Sequence, residues 1–346
     1  MSGELLAPAL RERLSRRVVG REREIELVLA ALAAGRHIVL EGPPGTGKST
    51  LLRAIAAEAQ LGFEFVEGNA ELTPARLVGH FDPALVLNEG YSPDVFVDGP
   101  LVAALRDGSL LYVEELNRVP EETLNTVITV MSEGELHVPR LGVVRAAPGF
   151  RFVAAMNPFD AVGTARISSA VYDRTCRLVA DYQSAGDEAR IVDAAVAAVA
   201  AGSGADGVSD GMRDGIAVPA LPNGDTSRAA DSPWTAGIVD VVRRTRSHPE
   251  VRVGSSVRGA IDTVLVARSL ADIRGGAADD PALGLDAALV ALSGRIRMRE
   301  GSAQHSEDVV RELWADVFGA SDGGDDRHDG AMGGADPGKA RAPGRG

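Results

Sequence analysis

Lysine is almost missing from this chain. Of its 36 basic residues two are lysine, Lys48 and Lys339, and the second sits in a Gly-rich tail. Arginine supplies the remaining positive charge, so a thin ammonium is confined to one place in the foldable part, where a wide planar guanidinium would not fit equally well. Cysteine is scarcer still. The lone Cys176 excludes an internal disulfide and agrees with a reducing compartment; it reads as a buried filler, with a reactive thiol as the alternative. The six histidines, His37, His80, His137, His248, His305 and His328, show no ligand spacing with cysteine or acids, which argues against a structural transition-metal site. No apolar run approaches the ~20 residues that cross a bilayer, and the first residues, with Glu4, Arg11, Glu12 and Arg13, form no signal-peptide core. The expectation is a cytoplasmic chain without membrane insertion. An excess of positive charge is lacking too: a net charge of −13 opposes a polyphosphate backbone and disfavours nonspecific nucleic-acid binding.

What is present is a large apolar inventory, 45% of 346 residues, enough for about two domains. Ile25, Leu29 and Leu32 recur at helical spacing within 22–34, and His37 to Glu41 then reads as a short buried strand. A glycine-rich loop follows, then a helix over Thr50 to Gln60 and a strand over Phe63 to Val66. Ser109 to Val113, Arg151 to Met156 and Arg177 to Ala180 supply further strands. Pro120 opens a helix in which Leu124, Val127, Ile128 and Met131 form one apolar stripe. Strands alternating with helices predict an open parallel α/β sheet covered on both faces. Two interruptions, Ala84 to Val97 around Asn88-Glu89-Gly90-Tyr91 and Glu135 to Ala146 around Pro139-Arg140-Leu141-Gly142, read as hairpins projecting from it. The organisation expected is a core over 1–183 and a helix with a Gly/Asp-rich linker over 184–233. A helical domain over 234–318 and a disordered tail over 319–346 complete it.

The loop between the first strand and its helix is Gly42-Pro43-Pro44-Gly45-Thr46-Gly47-Lys48-Ser49, with Thr50 next. G-x-x-x-x-G-K-[ST] between a strand and a helix is the phosphate-binding loop, or Walker A motif. Backbone N–H groups and the helix N-terminus hold phosphate oxygens, Lys48 neutralises them, and the Ser49 hydroxyl joins a Mg²⁺ shell. Hydrolysis then asks for acids at the end of a neighbouring strand. Glu114 and Glu115, directly after Val113, fit: the first would hold Mg²⁺ through water, the second would orient and deprotonate the attacking water.

Six segments in order carry a resemblance to the AAA+ ATPases, and among them to the MoxR-like group. These are Val18-Val19-Gly20-Arg21-Glu22, Gly42 to Ser49, Glu114 to Arg118, Ala155-Met156-Asn157-Pro158, Asp173-Arg174 and Gly254 to Arg258, spanning about 18–318. The resemblance implies a P-loop ATPase with a five-stranded parallel sheet, in which the strand before Asn157 lies between the two Walker strands. It further implies a small four-helix lid and a ring, commonly a hexamer. By the same resemblance Val18 and Val19 lie against adenine, and Asn157 is a sensor of the γ-phosphate. Arg174 becomes an arginine finger for the neighbouring subunit, Arg258 a second sensor on the lid, and the two interruptions face a pore or a client. ATP and Mg²⁺ are the implied ligands; a von Willebrand factor A domain protein is the implied partner, with a chaperone-like role in maturing an enzyme complex. Two positions depart from the pattern: Glu114 replaces the usual aspartate, and Val257 a common proline. The alternative is a nucleotide-gated binding module that hydrolyses negligibly.

Overall fold

The computed structural model describes residues 2–158, 167–201 and 232–319. Three helices, α1 (Ser2–Leu5), α2 (Pro8–Arg17) and α3 (Glu22–Ala33), precede β1 (His37–Glu41), whose glycine loop runs into α4 (Lys48–Glu58). Then come β2 (Phe63–Glu67), α5 (Pro74–Val78), β3 (Gly79–Phe81), α6 (Pro83–Glu89), β4 (Phe96–Asp98), α7 (Pro100–Asp107) and β5 (Leu110–Glu114). The core closes with α8 (Glu121–Glu133), β6 (Glu135–Val138), β7 (Gly142–Arg145), β8 (Arg151–Met156), α9 (Ser169–Arg174) and β9 (Thr175–Val179). The helical part contains α10 (Ala185–Ala200), α11 (Pro233–Thr245), β10 (Val251–Val253), α12 (Val257–Arg274), α13 (Pro281–Leu292), β11 (Arg297–Met298) and α14 (Ser306–Phe318).

Five strands pair in the order β2-β5-β8-β1-β9, all parallel. The strand before Asn157 thus lies between β1 and β5, as the resemblance implies. Side chains alternate along each strand, so β1 sends Ile38 and Leu40 to one face, with Leu14, Ile25 and Ile55, and Val39 to the other, with Leu101, Leu105 and Val127. Covered on both sides, the three central strands bury nearly every residue, which is why they read as unbroken apolar runs. The edge strands are half exposed. Cys176 is exposed, not a buried filler: it lies on β9, at the edge of the sheet among the described residues, where the packing over the sheet faces leaves most side chains uncovered.

Residues 84–97 do not form a hairpin. Asp82 caps α6 by accepting from Ala84 N at 2.8 Å and Leu85 N at 3.3 Å, and Pro83 stands in its first turn. That pair is a helix start signal, and it outweighs the partial alternation of the apolar residues behind it. The paired strands lie outside: β3 runs antiparallel to β4. The second interruption is the expected hairpin, β6 against β7, turning at Arg140 with φ +68°. Arg140 lies 3.7 Å over the Tyr91 ring, tying the two projections together.

Helices α11 to α14 share one apolar core, and α10 joins it through Ala189, Val192 and Ala195. Trp234, Trp314 and Phe318 stack within it, with ring centroids 4.2 to 5.8 Å apart. The expected linker over 201–233 and the tail beyond 319 fall almost wholly outside the described residues.

Candidate functional site

β1 delivers the chain to the open end of the sheet, and α4 leaves from the same point. Between them the backbone turns at Gly45, φ +73°, where any β-carbon would stand 2.2 Å from Ser256 Oγ of the helical part. At Gly42 a β-carbon would meet Ala180 O at 2.0 Å. The loop is therefore a cradle that only bare backbone can form. Lys48 opens α4 and folds back, donating from Nζ to Gly42 O at 2.9 Å and Pro43 O at 2.8 Å, with Thr46 Oγ1 at 3.4 Å. Burial pushes its ammonium down to about 8, aided by Arg21 and Arg258 and opposed by Glu114 and Glu115. Two acids and two arginines from three chain segments thus converge electrostatically on this amine.

Ser49 Oγ, one residue on, donates to Glu114 Oε1 and accepts from Tyr112 OH at 3.1 Å. Tyr112 is fully buried beneath the pair, and burial holds its phenol protonated. Glu115 leaves the strand direction in the left-handed region, φ +55°, a costly conformation for a non-glycine residue, and its carboxylate meets Arg118 Nε at 2.5 Å. Asn157 follows β8, the strand beside β5; its carbonyl accepts from Asn117 Nδ2 at 3.2 Å. The buried Asn117 Oδ1 has no partner among the described residues.

A cleft opens between this loop and the helical part. Val18, Val19, Gly45, Gly47, Thr50 and Arg258, all singled out in the sequence, line it together. Val257, noted in the sequence only as a departure from the family pattern, lines it too, and the sequence reading missed Arg17, Gln183, Ile191 and Ile261. Arg21, quoted there in the Val18–Glu22 segment, was given no role. Buried at 3% exposure, Arg21 donates from Nη2 to Thr46 O at 2.7 Å and to Asp181 O, clamping the loop to the chain that leaves β9. Arg174 does not line this cleft. It ends α9, where Nε meets Ser132 Oγ at 2.5 Å and Nη1 donates to Ala170 O at 3.0 Å.

The donor set fits a nucleoside triphosphate with Mg²⁺. An apolar floor of valines suits a base, a glycine cradle with one ammonium suits phosphate, and a hydroxyl paired with one carboxylate suits a cation that keeps most of its waters. Among the described residues no cluster of three or more His, Cys, Asp or Glu could hold a metal unaided.

The core resembles a known domain family. Residues 37–175 match the AAA domain, dynein-related subfamily, from β1 to the first residue of β9. The match takes in the glycine loop, both acids and Asn157, and leaves out Val18, Val19 and Arg258. An uncharacterised protein of Staphylococcus epidermidis is 33% identical over 155 residues, covering 44% of this chain and 58% of that one. YehL of Escherichia coli K12, also uncharacterised, is 32% identical over 155 residues, or 43% of this chain and 42% of that one. The chain thus spans about half the length of these curated relatives. A solved structure from Cytophaga hutchinsonii, of a protein proposed to be an ATPase, aligns at 18% identity with a TM-score of 0.47 over 90% of this chain and 93% of that one. The sheet order, the glycine loop and the AAA match together make the core a P-loop fold of the AAA+ type.

Proposed function

We propose that this chain is a MoxR-like AAA+ ATPase that binds Mg-ATP in the cleft, hydrolyses it, and uses the cycle to remodel or mature a partner protein complex. The observation that carries this is the meeting of Lys48, the Ser49–Glu114 pair and Arg258 around one glycine loop. Val18 and Val19 hold the base. The loop from Gly42 to Gly47, through Pro43, Pro44 and Thr46, holds phosphate with Lys48, and Thr50 continues that wall. Ser49 directly, and Glu114 through water, would hold Mg²⁺, which when bound neutralises phosphate charge. Glu115 takes the proton of the attacking water, and Asn157 orients that water by its amide. Arg174, on a different face, serves a neighbour's site in a ring, commonly six subunits. The resemblance further suggests a von Willebrand factor A domain protein as partner, a cytoplasmic setting and a chaperone-like role.

Two experiments test this. Glu115→Gln should bind nucleotide normally and release phosphate at least about a hundredfold more slowly; undiminished turnover would remove Glu115 as the base. Arg174→Ala mixed with Lys48→Ala should recover activity that neither has alone, and failure to do so would sink the shared site.

One contact favours the second reading, a nucleotide-gated module with negligible hydrolysis: Arg118 engages the Glu115 carboxylate. Arg118→Ala separates the two. Under that reading it releases the base and raises steady-state phosphate release; under the first, release stays level or falls.

A further inference from the structure

The helical part reaches the cleft with Ile191 of α10 and with Val257, Arg258 and Ile261 of α12, and the stretch Ser255 to Arg258 that opens α12 is held from a distance. Glu188 is 1% exposed on α10, on the stripe of Ile191, Val192 and Ala195 where helical spacing calls for an apolar residue. Its carboxylate accepts from Arg243 Nη1 at 3.2 Å and Arg246 Nη1 at 2.7 Å. Both arginines reach further. Arg243 Nη1 also donates to Gln183 O at 2.9 Å, on the segment joining the sheet to α10. Arg246 Nε donates to Ser255 O at 2.8 Å, and its guanidinium lies 3.8 Å over the Tyr182 ring. Ser255 N donates to Thr245 Oγ1 at 2.9 Å, so both backbone groups of Ser255 are fixed from the end of α11. The next residue, Ser256, stands at the N-cap position of α12 and faces Gly45; Arg258, in the first turn, lines the cleft.

A buried carboxylate with two arginines is no better for stability than a well-packed apolar group. What it does is aim two planar forks at two carbonyls. We infer that Glu188 and Arg246 are positioning residues that set the Ser255–Arg258 stretch against the glycine loop, so that Arg258 recognises the outermost phosphate of a nucleoside triphosphate. This rests on the reading of the cleft as a nucleotide site and adds to it what holds Arg258 in place there. Arg246 acts through Arg258 and needs no contact with the ligand.

The test titrates the full chain with fluorescent ATP and ADP analogues in Mg²⁺, for wild type, Arg246→Lys, Glu188→Gln, Arg258→Ala and the Arg246→Lys/Arg258→Ala double variant, with melting temperatures alongside. Lysine at 246 keeps a cation beside Glu188 but cannot also reach Ser255 O as a fork does. Arg246→Lys should weaken the ATP analogue roughly tenfold, the scale of one charge-assisted hydrogen bond, and leave the ADP analogue within about twofold. Glu188→Gln should shift the same ratio in the same direction; should it not fold, Arg246→Lys decides. The double variant should be no weaker than Arg258→Ala. Equal weakening of both analogues, additive losses in the double variant, or an unchanged ATP preference in Arg258→Ala would overturn the inference while leaving the site standing. A wild-type chain that binds neither analogue would overturn the nucleotide reading and this inference with it.

Discussion

One wall of the cleft is continuous chain, and the other is assembled from side chains distant in sequence. From Gly42 to Gly47 backbone atoms shape the surface, and Lys48 is held by groups two to six positions away. Opposite, Ser255 to Arg258 are kept in place by Arg246, itself held by Glu188, 58 positions away. The first wall is fixed by local geometry and changes only if a glycine or the lysine changes. The second depends on buried charges that must find one another, so its shape is tied to the packing of α10 on α11.

Breaking the distant wall should have the largest effect. Glu188→Ala leaves Arg243 and Arg246 without their shared carboxylate, and an unpaired buried charge costs about 3–5 kcal/mol of stability, to be read as denaturant midpoint. Lys48→Ala strikes the local wall without disturbing the fold: nucleotide affinity should fall by about 2 kcal/mol or more, with the melting temperature of the free protein little changed. Gly45→Ala touches both walls, since its side chain would need φ +73° and the space of Ser256; a loss of about 1–3 kcal/mol is expected from the strain alone, and nucleotide affinity should fall with it.

Lys48 also separates the walls by pH. Its ammonium titrates at about 8 in the fold against an ordinary 10.5. Above pH 8 the folded lysine loses its charge, so nucleotide affinity should fall as pH rises, by at most about tenfold per unit. Stability of the free protein should do the opposite: between 8 and 10.5 the unfolded chain binds the extra proton, so folding is favoured as pH rises, and below 8 the lysine adds no slope. Lys48→Met should abolish both trends; persistence of either would assign it elsewhere. The smallest effect belongs to Cys176→Ser, exposed on the edge strand and far from either wall, with a change within about 0.5 kcal/mol.

Legibility in the sequence follows the same division. The strand, loop and first turn of α4 are consecutive, so their glycines, lysine and serine read directly, and the acids after β5 follow from the strand that precedes them. The partners of Arg21, at Thr46 and Asp181, are 25 and 160 positions away, and no local pattern announces them. Glu188 did leave a signal: a carboxylate at i of an i, i+3, i+4, i+7 apolar stripe. The helix α6 was legible as well, through Asp82-Pro83, but a capping signal was set below a weak β alternation. Cys176 was misjudged because burial on a strand depends on its place in the sheet and on what packs over its faces, which composition does not reveal.

The near absence of lysine has a chemical side. An ordinary lysine at pH 8 is free base in roughly three molecules per thousand, whereas Lys48, titrating at about 8, is free base in about half. Guanidinium groups stay silent towards acylating reagents, so the arginine-rich surface offers them little. The side chain placed to meet phosphate as a cation is therefore also the one side-chain amine of the described fold, and a nucleophilic one. A mild acylating reagent would report, by its rate at Lys48, how open the cleft is.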